Sequence, residues 1–265
     1  PEEIKRCLKK ETILVSVMVV NNEVGMIQPI AEIGEILKEY PTVHFHVDAV
    51  QGITKVPTEK WLVDRVDFAT FSGHKFHGPR GIGFIYWKKG RKIAPLLTGG
   101  GQENNFRSGT ENLPGIVAMA KALRLGLTDE KIKQTELMKK RDYLIDSLAT
   151  FSGVTLFTKK SEKFAPHIVC FSLKGIRGEV MVHALEEKQV IISTTSACAS
   201  KKSSVPSTLN AMNVPRNLAE TAVRVSLDET TTLAELEQFL LQFSLLYQKF
   251  SKINHLGEKT CNIQK

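Results

Sequence analysis

Val66-Asp67-Phe68-Ala69-Thr70-Phe71-Ser72-Gly73-His74-Lys75-Phe76-His77-Gly78-Pro79-Arg80-Gly81 decides the fold. Its first part, Val66 to Phe71, is rich in β-branched and aromatic residues and predicts a strand. The glycines and proline that follow predict a tight turn, so Lys75 stands just past a strand end. A second strand is expected from Ile82 to Trp87, and another upstream from Val43 to Val47, ending at Asp48. Ile30 to Glu39 carries Ile30, Ile33, Ile36 and Leu37 at helical spacing. Thr12 to Val20 is dense in valine and isoleucine, the pattern of a strand buried on both faces. Strands alternating with helices imply an α/β fold with a mainly parallel sheet. Such sheets bind ligands beyond the carboxyl ends of their strands, where Asn22, Asp48 and the Ser72 to Lys75 turn all fall.

Downstream, Leu97 to Asn112 is glycine-rich and polar and reads as a loop. Leu113 to Leu148 reads as mostly helical, with a change of domain along it. A smaller α/β domain follows: a strand over His167–Leu173, a helix over Glu179–Glu187, a strand over Val190–Ser193, and a Ser/Thr/Lys-rich loop to Pro206. Helical stretches at Ser207–Met212 and Leu218–Thr221, a strand at Val223–Leu227 and a helix at Leu233–Phe250 complete it. The expected division is residues 1–120 as the remainder of a large domain, 121–250 as a small one, and 251–265 as a polar, frayed tail.

The 265 residues are 42% hydrophobic, enough for a sizeable core. The formal charge of +8 is dispersed rather than clustered, which argues against a direct nucleic-acid role. Lys88-Lys89-Gly90-Arg91-Lys92 reads as a solvated turn. Four cysteines, Cys7, Cys170, Cys198 and Cys261, lie far apart, so neither a disulfide framework nor a metal site is expected. Reduced thiols point to a cytoplasmic setting. No apolar run reaches membrane-spanning length. Pro1-Glu2-Glu3-Ile4-Lys5 has no signal-peptide pattern and opens inside a helix, so the sequence reads as a fragment lacking an N-terminal part.

A lysine and an aspartate at the ends of neighbouring strands are what pyridoxal 5'-phosphate (PLP) requires. The amine forms a Schiff base with the aldehyde, and the carboxylate keeps the pyridine nitrogen protonated. Ser72, His74 and the backbone turn opened by Gly73 offer donors to a phosphate. Gln51, three residues after Asp48, could reach the phenolic oxygen. Asn21-Asn22-Glu23 is either a plain turn or places the Asn22 amide near cofactor and substrate. His44 and His46 alternate with apolar residues and read as satisfied core histidines rather than ligands. Arg224, alternating within an apolar strand, is either salt-bridged or set to bind a carboxylate through both nitrogens. Arg107-Ser108-Gly109-Thr110 suits a phosphate. Cys170 reads as a buried small hydrophobe. Cys198 differs, because its flanks are small and polar and Lys201 and Lys202 are near, which favours a reactive thiolate.

Taken together, these segments resemble the NifS/IscS-type cysteine desulfurases of the fold-type I, class V aminotransferase group. The matching pieces are Val20-Asn21-Asn22-Glu23-Val24-Gly25, His46-Val47-Asp48-Ala49-Val50-Gln51, Ser72-Gly73-His74-Lys75, Gly99-Gly100-Gly101-Gln102-Glu103, Arg107-Ser108-Gly109-Thr110, Ser196-Ala197-Cys198 and Arg224-Val225-Ser226. They run in family order along nearly the whole chain. The resemblance implies Lys75 as the Schiff-base lysine, Asp48 as the pyridinium partner and Gln51 at the phenolic oxygen. It implies Ser72 and His74 at the phosphate, with Thr110 reaching the phosphate of the other subunit of a homodimer. Asn22 and Arg224 would bind the carboxylate of L-cysteine, and Cys198 would take the sulfur as a persulfide. The long Ser-Ala-Cys loop resembles that of the family's first group, which hands sulfur to an iron–sulfur scaffold or a tRNA-thiolation protein.

The sequence departs from that family in one respect. The family begins with a further segment that carries a phosphate-binding turn and a histidine stacked on the pyridine ring. His44, His46 and His77 are not placed to replace that histidine, so weak PLP binding by this chain alone is expected. Alternative readings are a selenocysteine lyase or another class V PLP enzyme, and a non-catalytic sulfur-transfer or assembly module. A tRNA-binding role comes third.

Overall fold

The computed structural model describes residues 1–195 and 207–254, and Cys198, its Ser-Ala-Cys loop and Cys261 lie outside them. The chain divides into two compact units. One is Pro1–Val19 with Gln28–Lys131, and the other is Val20–Ile27 with the chain from Ile132 onward.

The first unit holds α1 (Glu2–Cys7), β1 (Leu14–Met18), α2 (Ile30–Leu37), β2 (His44–Asp48), β3 (Phe68–Ser72), β4 (Gly83–Trp87) and α3 (Leu113–Leu127). Its sheet runs in the order β1-β2-β3-β4. The first three strands are parallel and β4 is antiparallel to β3. The short connection from Gly73 to Ile82 dictates that reversal, since a parallel return needs a crossover of a dozen or more residues. α2 buries Ile30, Ile33 and Leu37, and β2 buries Phe45 and Val47 completely. The other face of β2 presents His44, His46 and Asp48, each half-buried.

Burial of β1 on both faces is not observed. Val15 is buried, but Leu14 and Met18 are 51% and 39% exposed, and Ser16 is exposed beside them. β1 is an edge strand of the described sheet, and its apolar composition could not reveal which face has a neighbour. The basic turn after β4 also departs from expectation. Arg91 is not merely solvated, because its Nε donates to Oδ1 of the fully buried Asp67 at 2.7 Å.

The second unit holds α4 (Glu130–Ala149, its first two residues belonging to the first unit), β5 (Val154–Leu156), β6 (Ile168–Leu173), α5 (Gly178–Glu186), β7 (Ser193–Thr194), α6 (Ser207–Ala211), α7 (Arg216–Ala219), β8 (Ala222–Ser226) and α8 (Leu233–Asn254). The sheet order is β5-β6-β8-β7, antiparallel throughout. One face packs on α4, α5 and α8 through residues such as Leu144, Phe171, Met181, Val223 and Phe243. The expected strand over Val190–Ser193 reduces to Ser193–Thr194, with Ile191 76% exposed. The long helix over 113–148 is broken, because Asp129 takes a left-handed φ of 55° between α3 and α4. The last helix continues past Ser251 to Asn254, where a frayed tail was expected.

Candidate functional site

β2 and β3 are parallel neighbours, so Asp48 and the segment after Ser72 leave the sheet at the same edge. Asp48 pairs in register with Thr70, and the amide of Ala49 donates to the Thr70 carbonyl at 3.0 Å. The Asp48 carbonyl accepts from Val19 on the other side at 2.8 Å. Oδ1 of Asp48 accepts from the Val50 amide at 3.0 Å, an aspartate turn that fixes the carboxylate's rotation. Among the described residues no side chain or amide donates to Oδ2. Gly52 follows because a Cβ there would lie 2.7 Å from Val19. Gln51, within this turn, is half-buried.

The Lys75 turn is a 3-10 segment, Gly73–Phe76, anchored at both ends. Gly73 donates to Ile82 at 2.9 Å, and Gly78 donates back to Gly73 at 2.9 Å. His77 closes the turn in the left-handed region at φ 68°. Phe76 is buried edge-on against Phe84, so the neighbouring His74 and Lys75 point outward and are exposed. Gly83 is required where the strands meet, since a Cβ would sit 2.3 Å from the Phe71 carbonyl. The Lys75 amine has no ion pair or hydrogen bond among the described residues. Thr110 is exposed in a loop of the same unit, held by Ser108 bonded to Leu97 and Gly100 and by Gly109 bonded to Gln102.

Asn22 and Arg224 come together in the second unit. Nη1 of Arg224 donates to the Asn22 carbonyl at 2.8 Å, while its Nε is buried with no acceptor among the described residues. Of the two alternatives for Arg224, a carboxylate partner or a salt bridge, no salt bridge is present among the described residues. The turn bearing Asn22 is held by the adjacent Asn21, whose Oδ1 accepts from the amides of Glu23 and Val24 at 2.9 Å. Nδ2 of Asn21 reaches Thr208 at 3.1 Å. The buried Thr158 hydroxyl donates to the Val24 carbonyl and accepts from the Cys170 amide, both at 2.8 Å. Sequence reading missed Thr158, because nothing in Phe157-Thr158-Lys159 marks its partners 134 and 12 residues away. Cys170 is fully buried. Burial first, and the Glu23 charge second, push its thiol pKa up, with Arg224 opposing. It is an inert thiol.

One further group lies on the Asp48 face. The His46 ring bonds Ser16 Oγ through Nδ1 at 2.7 Å and Thr70 Oγ1 through Nε2 at 3.0 Å. The expectation of a satisfied histidine therefore fits His46. His44 instead packs edge-on against Phe68 and leaves Nδ1 buried without a hydrogen bond among the described residues.

The donor set fits PLP. An amine without a partner can take an aldehyde, and a carboxylate with one oxygen lacking a donor can take a protonated ring nitrogen. Ser72, His74 and the Gly73 turn sit beside them at the same sheet edge.

Comparison with known proteins gives a consistent result. The family model described as aminotransferase class-V matches residues 1–239. A NifS/IcsS protein homolog of Lactobacillus delbrueckii subsp. bulgaricus is 55% identical over 97% of this chain and 67% of its own length. The cysteine desulfurase IscS of Dictyoglomus turgidum is 39% identical over 96% of this chain and 64% of its own. A solved structure described as a NifS-like protein superposes with a TM-score of 0.83 at 36% identity, covering 95% of this chain and 64% of that one. The chain thus spans about two thirds of the length of the relatives it matches.

Proposed function

Because the chain belongs to the aminotransferase class-V family, in its NifS/IscS branch, whose enzymes are PLP-dependent, we propose that it carries the reacting residues of a cysteine desulfurase. The observation that carries this reading is that Asp48 and Lys75 both lie at the carboxyl ends of the neighbouring parallel strands β2 and β3, the carboxylate with an open oxygen and the lysine without a partner among the described residues. The substrate is L-cysteine, and the products are L-alanine and a protein-bound persulfide.

PLP, when bound, supplies an electron sink for the charge left at the substrate's Cα. Asp48 would hold the ring nitrogen protonated, Gln51 would serve the phenolic oxygen, and Ser72 and His74 would hold the phosphate. The free amine of Lys75 takes the Cα proton. Arg224 and Asn22 bind the substrate carboxylate, and the buried Arg224 Nε without an acceptor supports that role. The Cys198 thiolate attacks the substrate sulfur. An S–S bond forms as the substrate's C–S bond breaks, and the three-carbon remainder is protonated and leaves as alanine. Cys198 lies outside the described residues, so its role rests on Ser196-Ala197-Cys198. The persulfide then passes to an acceptor protein, an iron–sulfur scaffold or a tRNA-thiolation protein, in the cytoplasm. Thr110, exposed on its loop, suits contact with a second subunit's phosphate in a homodimer. Among the described residues no helix is long and apolar enough to cross a membrane.

The test is sulfide and alanine release from L-cysteine with PLP and a thiol reductant, alongside borohydride trapping of PLP on the protein. Equal yields of both products, lost in Cys198→Ala, with the trapped cofactor on Lys75, are expected. Trapping on another lysine, or turnover that survives Cys198→Ala, would overturn the assignment.

A further inference from the structure

The roles proposed above leave the His46 bridge without a function. Ser16, His46 and Thr70 lie on three adjacent strands, and the ring joins the two hydroxyls across all three. Ser16 is the register partner of His46, so that bond runs straight across the sheet. The other is diagonal. The register partner of His46 on β3 is Phe68, yet the ring bonds Thr70, the partner of Asp48. The imidazole therefore leans toward the carboxyl end of the sheet. Thr70 holds the Asp48 segment twice, through its carbonyl to the Ala49 amide and through its hydroxyl to His46.

We propose that His46 is a positioning residue for Asp48, fixing through Thr70 and Ser16 the strand end from which the carboxylate meets the cofactor's ring nitrogen. The proposal rests on the PLP reading above. A hydrogen-bonded support of this kind holds a reacting group within a narrow range of geometry. Charge acts in the same direction. Burial lowers the His46 pKa and the Asp48 charge partly opposes it, so near neutrality the ring adds no positive charge to compete for the carboxylate. The titratable groups on this face are His44, His46 and Asp48 of β2. β1 contributes Ser16 and Met18, and β3 contributes Phe68, Thr70 and Ser72, none of which titrates as an acid or base in this range.

The experiment compares the wild-type chain with His46→Leu, His46→Gln and Asp48→Asn, all under one urea-stability control. For PLP-loaded protein, affinity and the pH midpoint of the cofactor's absorption band are measured. His46→Leu should weaken PLP binding by about threefold to tenfold, the worth of a hydrogen bond or so. It should move the midpoint by about half a pH unit or more, in the direction Asp48→Asn moves it. His46→Gln, which can still bridge two hydroxyls, should restore most of both. A His46→Leu protein that is less stable but binds PLP with unchanged affinity and midpoint would reduce His46 to a structural role. A second measurement needs no cofactor. Nitrogen-15 NMR of the unloaded chain should show the His46 ring titrating at lower pH in Asp48→Asn, because the carboxylate favours the charged ring. A ring indifferent to Asp48 overturns the proposal, even where failure of every variant to take up PLP would instead count against the desulfurase reading.

Discussion

Asp67 holds the opposite end of the sheet from the candidate site, and removing its charge should be costly. It is fully buried. Oδ2 accepts from the Phe45 amide at 2.9 Å and from Arg65 Nη1 at 2.8 Å, and Oδ1 accepts from Arg91 Nε at 2.7 Å. Arg65, itself buried, also caps the carbonyls of Leu37, Tyr40 and Val43. One carboxylate thus ties together the end of α2, the starts of β2 and β3, and the turn after β4. In Asp67→Asn the amide oxygen can keep the Phe45 and Arg65 side. Its NH2 must then face the Arg91 donor, and Arg65 loses its counter-charge. Breaking a buried pair from one side costs about 3–5 kcal/mol. Arg91→Ala leaves the Arg65 pair intact and should cost less, about 1–3 kcal/mol. Urea unfolding followed by circular dichroism at constant m-value measures both. The pH dependence has a definite sign. Burial pushes the Asp67 carboxyl up, but the Phe45 amide and the two arginines outweigh it and hold the pKa below its ordinary value. A depressed folded-state pKa contributes stability above the unfolded-state value, lost as pH falls through the folded-state value. The gap between wild type and Asp67→Asn should be full at neutral pH and narrow only below about pH 4. A loss under about 1 kcal/mol, an Arg91→Ala effect as large as that of Asp67→Asn, or a gap that does not change with pH would refute the reasoning.

Two other outcomes follow from buried groups in the second unit. Thr158→Val keeps the shape but orphans the Val24 carbonyl and the Cys170 amide, and should cost about 1–3 kcal/mol for each group left unpaired, read from the same urea transitions. Iodoacetamide at mildly alkaline pH should label the exposed Cys7 in the folded chain and leave Cys170 unlabelled until urea unfolds it. Mass spectrometry of the peptides reads this directly, and rapid native labelling of Cys170 would contradict its burial.

What could be read from the sequence were the places where chemistry demands a residue type at a strand end. Lys75 after Phe71-Ser72-Gly73 and Asp48 after Val47 are local signals, and the strands that carry them lie within two residues of their expected starts. Elements defined by partners were not legible. β5 is three residues long and has no period to detect; its identity comes from pairing with β6. Val190, Ile191 and Ile192 look like a strand, but only Ser193 and Thr194 find partners on β8. Arg91 looks like one cation among several until Asp67, 24 residues earlier, is seen beneath it. The break at Asp129 has no glycine or proline in Leu127-Thr128-Asp129-Glu130 to announce it; in the fold Thr128 Oγ1 bonds back to Arg124 and closes α3 there.

The adjacent pair Asn21-Asn22 shows how structure resolves an ambiguity that sequence leaves open. From sequence alone Asn21-Asn22-Glu23 reads either as a plain turn or as a segment that places the Asn22 amide near cofactor and substrate, and Asn21 has no role of its own in either reading. In the fold the roles separate. Asn21 commits its side-chain oxygen to two amides of the turn and its nitrogen to Thr208, so it is the residue that makes the turn possible. Asn22 contributes its carbonyl to Arg224, while its side chain takes no part in the bonds that hold the turn. Gly25 then closes the turn at φ 79°, where a Cβ would lie 3.1 Å from that of Ile168. A turn that needs one asparagine for its own hydrogen bonds leaves the next one available to a ligand. A double asparagine therefore carries more functional meaning here than either residue would alone.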